Sequence, residues 1–457
     1  MNDKLTTPPK SQTRADKVIR ALRAWNKALG DAERQAKYCR MASAPLVFYR
    51  GTNHLFWDDF AGDERLQRFA NAETRTWLQG DLHVYNYGSY DNAEDDVVYN
   101  LNDFDETFYA DYQYDLWRMA VSLVLVARQN DDLSTSQLAK VIDSFSQTYR
   151  DTLTSYRKKK NDPSKVSFSR DETYGKLKRF LKSVEDEYTR KDMLKKWAPE
   201  DDEDRRRFDV EGRPDKLGEA SDDERKMIRK AMTAYRKTLG SDLAENDAYF
   251  EVKDIARRLG AGTGSLGTRR FYVLIEAGEP GHNKDDRILD VKHQGSPTPY
   301  RYLAKKARRE YDEEFKENHA RRHAVGYKAL TYLTDPLLGW MKLDDGYYSV
   351  RQRSPFKEAF PGEVLDTRAA FSVQAEQWAA ILATDHARAN KDLPAQVHDA
   401  TKDEKAAFRD LVRTIAFAYA DQVWSDWRHF VTALDLEPGQ CEQPPFVPPS
   451  YRDMLPP

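Results

Sequence analysis

Two short stretches carry the residue types that chemistry needs: Gly80-Asp81-Leu82-His83-Val84-Tyr85-Asn86 and, beginning 22 positions after Asp81, Asp103-Phe104-Asp105-Glu106. Transfer of a phosphoryl group requires a carboxylate that orients the attacking hydroxyl, and an amide plus a second carboxylate that hold Mg2+ on the nucleotide phosphates. Asp81, Asn86 and Asp103 supply those groups, with Asp105 as a further metal-ligand candidate. Asn86 follows Asp81 by five positions, the offset between base and amide in a phosphoryl-transfer catalytic loop. His83 joins Asp81 as a catalytic candidate, or orients the loop by hydrogen bonding. Each residue alone could cap a turn or sit in a polar network, so the weight rests on the two stretches together.

A second constellation is Gly262-Thr263-Gly264-Ser265-Leu266-Gly267. A dinucleotide-binding reading of this G-x-G-x-x-G pattern needs a helix after it, whereas TRRFYVLIEA reads as a strand. A glycine-rich turn between antiparallel strands lets backbone N–H groups approach phosphates, so Gly262, Gly264, Ser265 and Gly267 are nucleotide-binding candidates. Lys292, 25 positions after Gly267 and on the next expected strand, is placed to contact the α- and β-phosphates. The helix after it is expected to carry a glutamate paired with Lys292, and Glu313, Glu314 and Glu317 are candidates. Arg50 and Arg351, read at strand ends, are possible substrate or phosphate contacts. Asp115 opens a helix and suits capping.

These residues must be positioned by two kinds of structure. Helical periodicity in ADKVIRALRAWNKAL gives way to β-rich pieces from Leu46 to Glu106, LVFYRG, TWLQGDLH and VVYNLNDF, and returns from Tyr114 to Tyr149. Arg157 to about Lys230 is densely charged and reads as solvated helices or a mobile insertion. A β-rich block opens at Phe250, residues 299 to 333 read as a helix, and LLGWMKL and YYSVRQ read as two strands across Asp344, Asp345 and Gly346. Helices resume in VQAEQWAAILATDHARA and after Glu404. The expected division is therefore a tail over 1–15, a helical lobe with the catalytic and metal loops over 16–245, a β-rich nucleotide lobe over 246–355, completing helices over 356–436 and a proline-rich tail over 437–457.

The 457 residues, 40% hydrophobic and 33% charged, suffice for two lobes. A formal net charge of -3 gives no field that favours nucleic acid or an anionic membrane. No apolar run of membrane-spanning length and no secretory signal is present, which leads to the expectation of a cytoplasmic protein without membrane insertion. Cys39 and Cys441 are too few for a disulfide framework and read as reduced structural cysteines.

In the order FYRGTNHLFWDDF, GDLHVYNYG, NDFDE, YDLWRMAVS, GTGSLGTRRFYVL, VKHQ and VRQ, the chain resembles the bacterial family known as domain of unknown function 2252, from about residue 35 to 390. Separately, GDLHVYN, NDFDE and YDL are similar to the catalytic loop, metal loop and following helix of aminoglycoside and choline kinase-type phosphotransferases. That resemblance implies an α+β, protein-kinase-like bilobal fold with a helix-rich larger lobe, ATP and Mg2+ as cofactors, Asp81 as base, Asn86 and Asp103 as metal ligands, and Lys292 with the glycine-rich turn as the phosphate grip. In those kinases the glycine-rich loop precedes the catalytic loop, whereas here it follows, so a circular permutation is expected. The acceptor would be a hydroxyl-bearing small molecule. Adenylyl transfer and an inactive ATP-binding regulatory module are the alternatives. A metal-dependent phosphoesterase, suggested by Asp81-x-His83, would need histidine and aspartate clusters that the nine histidines do not form.

Overall fold

The computed structural model describes residues 13–130, 133–157, 161–240, 242–260, 267–278, 283–434 and 441. The chain opens with four helices, α1 (Arg14–Trp25), α2 (Asp31–Ala42), α3 (Pro45–Gly51) and α4 (Asn53–Phe60). The Thr13 hydroxyl accepts from the Asp16 N–H at 3.2 Å, capping α1. Two antiparallel strand pairs follow: β1 (Arg75–Leu78) pairs with β4 (Phe108–Asp111), and β2 (Tyr87–Asp91) with β3 (Val97–Leu101). Next come α5 (Gln113–Asn130) and α6 (Thr135–Tyr156), then α7 (Gly175–Glu187), α8 (Arg190–Trp197), β5 (Leu217–Glu219) and α9 (Asp222–Arg236). Four of the remaining strands are β6 (Val252–Arg258), β7 (Arg270–Ile275), β8 (Arg287–His293) and, after helices α10 (Lys305–Phe315) and α11 (His319–Leu330), β9 (Gly339–Leu343). β10 (Gly346–Gln352) precedes α12 (Arg368–Ala389), α13 (Leu393–Thr401) and α14 (Lys405–Ala433).

Helices α1–α7 and α11–α14 form one body around α5, which is buried along almost its whole length because YDLWRMAVSLVLVA presents apolar residues on every side. α6 and α12 pack along each other, α14 covers α5, and Trp117, Trp378 and Trp427 are among the largest fully buried side chains. The second layer is an antiparallel sheet ordered β5-β6-β7-β8-β10-β9. Its alternation buries Phe271, Val273, Leu289, Val291 and Val350 against Ile228, Met232 and Tyr235 of α9. Its other face buries Tyr272, Leu274 and Ile288 against Leu194, Trp197 and Phe208. The fold is thus mixed α+β with segregated layers.

Several expectations require correction. LVFYRG is helical, not a strand: Pro45 fills the first helical position, which needs no N–H, and Leu46, Phe48 and Tyr49 are buried in the helical core, so packing overrides the β preference of the stretch. Arg50 therefore projects from a helix. The helix expected over 299–333 is two, broken where Lys316 and Glu317 take positive φ values of 47° and 64°. The sheet also reaches across the expected boundary at 246, since β5 pairs with β6 and α9 covers one face. The charged region supplies amphipathic helices with buried stripes, such as Leu177, Leu181 and Val184 of α7. Of the two expected tails, residues 1–12 and all of 437–457 except Cys441 lie outside the described residues.

Cys39 and Cys441 are joined by a disulfide across 402 positions, with Cα atoms 5.4 Å apart. This overturns the expectation of reduced cysteines, since α2 and the segment beyond α14 come together in space. Closing so long a loop restricts the unfolded chain strongly. Cys441→Ser is expected to lower stability by roughly 2–4 kcal/mol in denaturant titrations. A reducing agent should lower wild-type stability by the same amount and leave the variant unchanged.

Candidate active site

The candidate catalytic loop, residues 80–86, hangs from the end of β1 on hydrogen bonds that the sequence must close locally. The N–H groups of Gln79 and Gly80 donate to the Asp115 carboxylate at 2.7 and 3.0 Å, so Asp115, in the first turn of α5, anchors the loop as well as the helix. His386 of α12 stands 3.4 Å from the same carboxylate. From the opposite side, Asn53 Nδ2 and Trp57 Nε1 of α4 donate to the Gly80 carbonyl at 3.1 and 3.2 Å. Gly80 has φ +86°, and a Cβ there would collide with the Glu106 carbonyl oxygen, so this position requires glycine.

The loop presents Asp81 beside Arg118 of α5, which donates from Nε at 2.9 Å and also from Nη2. Asn86 Nδ2 donates to the Asp81 carbonyl at 2.9 Å, closing the loop over the five-residue offset. Desolvation pushes the Asp81 carboxyl up to about 7; Arg118 opposes this, and the Glu106 and Asp103 carboxylates add to it. His83 is buried and accepts from the Tyr85 N–H at 3.2 Å through Nδ1. Burial, with Arg50 and Arg118 nearby, keeps its imidazole neutral. His83 thus caps the short turn that delivers Asn86. Arg50 lies over the Tyr85 ring, 5.1 Å from its centroid, where its charge reaches Asp81 and Asp103.

Asp103 is exposed, and among the described residues its carboxylate meets only the Asp105 N–H, at 3.5 Å. Asp105 takes a different role. It forms an ion pair with Lys292 of β8 and accepts from Gln294 Nε2 at 2.9 Å, with His323 Nε2 of α11 3.9 Å away. Desolvation opposes ionisation, but the Lys292 ammonium outweighs it and holds the Asp105 carboxyl far below the usual range. Glu106 accepts from the Thr298 N–H at 2.6 Å. α11 clamps this loop: Arg322 donates to the carbonyls of Asp105 and Thr107 at 2.9 and 2.8 Å, and Tyr327 stacks on Phe104 with centroids 4.0 Å apart.

Lys292 shares a rung of the sheet with Arg270 and Ser349, and Asp290 shares the next same-face rung with Tyr272 and Arg351. That face therefore turns Lys292, Arg270, Asp290 and Arg351 toward the loops. Arg270 grips Asp290 with both arms of its guanidinium, while Arg351 donates to the Asn102 carbonyl at 3.2 Å, beside the metal-loop candidate. Gly267 is described, at φ +78°, whereas Gly262, Gly264 and Ser265 lie outside the described residues. Glu313 is exposed and faces Arg309 at 3.6 Å, Glu314 pairs with Arg321 at 2.7 Å, and Glu317 sits at the break after α10. Among the described residues, the acid that meets Lys292 is Asp105, not one of these glutamates.

Among the described residues no three His, Cys, Asp or Glu side chains gather to hold a metal ion unaided. Asp103 with Asn86 is the type of partial set that suits Mg2+, which keeps several waters and takes phosphate oxygens as co-ligands. Sequence reasoning missed Arg118, Gln294, Arg322 and His323. An arginine inside the apolar run of α5 was the one available signal, because a buried arginine needs a carboxylate partner.

Gly80→Ala is expected to cost roughly 2–4 kcal/mol in denaturant unfolding, from the positive φ and the collision together. Gly62→Ala, at φ +78° with nothing within 4 Å of the added Cβ, should cost only about 1 kcal/mol.

No curated protein and no solved structure matches the chain. Residues 31–433 match the family described as an uncharacterized protein conserved in bacteria, which spans every element from α2 to α14 and both halves of the site. The chain belongs to this family, domain of unknown function 2252.

Proposed function

We infer that the protein is an ATP- and Mg2+-dependent phosphotransferase that transfers the γ-phosphoryl group to a hydroxyl of a small-molecule acceptor. The observation that carries this reading is the ion pair between Lys292 and Asp105, partners 187 positions apart that bring the sheet and the metal loop onto one cleft. It is supported by the sheet itself. The glycine-rich segment connects two antiparallel strands, the lysine stands on the next strand, and helices follow, the order of parts in protein kinases. Here those parts come after the catalytic loop, as a circular permutation would place them.

ATP with Mg2+ would supply the phosphoryl group and neutralise charge on it. Asp103 and Asn86 would hold the metal, and Lys292 would meet the phosphates while Asp105 keeps its ammonium in place. Asp81 accepts the proton that the acceptor hydroxyl loses as its oxygen bonds to phosphorus, and ADP leaves. Arg118 fixes the orientation of that carboxylate. The same pair favours a second reading, an ATP-binding regulatory module, because a carboxylate already held by a guanidinium is a weaker base.

Incubation with labelled ATP and a panel of small hydroxyl compounds separates the readings. Label from the γ position on product supports the phosphotransferase, label from the α position means adenylyl transfer, and neither label on any product counts against both. Asp81→Asn is expected to lower turnover by about 10²–10⁴-fold, and Lys292→Met to raise the KM for ATP. Since Asp81 acts as its carboxylate and is held near 7, kcat should climb about tenfold per pH unit below that value and level off above it. Asp81→Asn should remove this limb of the profile.

A further inference from the structure

A cavity of about 130 Å³ lies between the sheet and the helical body, room for a ligand of about six non-hydrogen atoms. β2 and the turn after it line one side, and residues of β8 and β10 with the segment after β10 line the other. The cavity borders the candidate active site, because it is also lined by Asn102, the neighbour of Asp103, whose carbonyl accepts from Arg351. The segment after β10 is fastened to β2 on both sides of Lys357. Ser89 Oγ donates to the Phe356 carbonyl at 2.6 Å, the Ser89 N–H donates to the Glu358 carbonyl at 2.9 Å, and the Glu358 N–H donates back to Ser89 Oγ at 3.2 Å. A Cβ on Gly88 would lie 2.8 Å from the Glu358 carbonyl oxygen, so glycine permits this close approach. Lys357 is thereby held at the cavity wall by its backbone.

The acids and the cations that line the cavity are not matched. Every acid is already engaged. Asp91 and Asp95 both accept from Nη2 of Arg190 at 3.0 Å, Asp290 is gripped by Arg270, and the Asp335 carboxylate accepts from the Leu337 and Gln352 N–H groups at 2.8 and 2.6 Å. The cations are not engaged in the same way. Arg287 donates to the carbonyls of Asp285 and Asp286 and forms no ion pair among the described residues. Arg353 lies over the Trp197 ring, 4.6 Å from its centroid, and forms none either. Arg351 Nε stands 3.9 Å from Asp290, whose two oxygens Arg270 holds. Lys357 has neither an ion pair nor a hydrogen bond among the described residues. Arg351, and after it desolvation within the cleft, pushes the Lys357 ammonium down to about 7. Tyr90 and Tyr249 line the same cavity, and their hydroxyls make no hydrogen bond among the described residues.

We propose that this cavity binds a phosphate group, gripped by Arg351 and Lys357 with the Tyr90 hydroxyl as a neutral donor. A phosphate dianion offers enough oxygens to accept from a planar guanidinium, an ammonium and a hydroxyl together, and enough charge to balance two cations, whereas a carboxylate brings only one charge. Arg287 and Arg353 add to the positive field inside the cavity. The site goes beyond the phosphotransferase reading and does not need it, since it rests on the cavity and the charges that line it. Two sources share this chemistry. One is a small phosphorylated compound; the other is the phosphates of a nucleotide, because Lys292 stands on the same face of β8 as Asp290, two residues along.

The test is thermal unfolding of the full chain, titrated with inorganic phosphate while chloride holds the ionic strength constant. Phosphate should stabilise the wild type along a saturating curve. Lys357→Met should weaken the phosphate affinity at least about tenfold, the loss of one charged hydrogen bond, and Lys357→Arg should keep most of it. Lys357 is exposed, so its substitution tests binding without threatening the fold. Lys342→Met, which removes an exposed lysine of β9 outside the cavity, should leave the affinity unchanged. A response that does not saturate, or one that Lys357→Met and Lys342→Met affect equally, overturns the proposal. Repeating the titration with saturating ATP and Mg2+ separates the two sources. Phosphate stabilisation that disappears assigns the site to the phosphates of the nucleotide, and stabilisation that adds to that of ATP assigns it to a second compound. If ATP and Mg2+ do not stabilise the protein while phosphate binds through Lys357, the site stands and the phosphotransferase reading falls.

Discussion

The contact on which the site depends is the seam along residues 103–107, where a loop of the helical body is held by groups from the sheet and from the helices that follow its third long strand. Lys292 and Gln294 hold the Asp105 carboxylate, and Arg322 holds the backbone carbonyls on either side of Glu106. Because carboxylate and carbonyls are both taken, the loop has little freedom to rotate, and Asp103 is left exposed, its carboxylate paired with no cation among the described residues. Phe104, stacked on Tyr327 beneath, fixes the direction in which the loop turns. The sheet and the body thus meet through charge-assisted bonds at the point where chemistry is expected, while Trp340 of β9 adds apolar packing against the helical core.

The electrostatics around Asp81 are a balance among unequal neighbours. Arg118 draws Asp81 toward its ionised form, while desolvation and the acids at 103 and 106 draw it toward the protonated one. A carboxyl poised near neutrality can take up a proton and release it around neutral pH. The helical body pays for this with a guanidinium buried in the middle of its most apolar helix, 1% exposed and stacked against Tyr49 at 4.2 Å.

What the sequence disclosed was local. The strand bearing Lys292 and the one before it are properties of short windows, and period and turn chemistry read them correctly. What it concealed was long-range. The sequence points to the following helix for the partner of Lys292, yet among the described residues its acid partner is Asp105, and no window contains both. LVFYRG reads as a strand by composition because Val, Phe and Tyr suit one, but burial of the same residues against the helical core decides for α3. Arg322 and His323 sit in a helix whose sequence, HARRHAVGY, looks like a solvated face until its neighbours are known. The two cysteines are an extreme case, since nothing near either of them points to the other.

That last bond changes what kind of object the chain is. Between Cys39 and Cys441 the backbone and the disulfide form a closed ring that contains nearly every described element after α1. Opening a ring once does not divide it. A protease that cuts any single surface loop between those positions leaves one covalently connected molecule, with both new ends still held by the folded layers on either side. The site, assembled from segments scattered around that ring, would survive such a nick wherever the severed loop contributes no side chain to it.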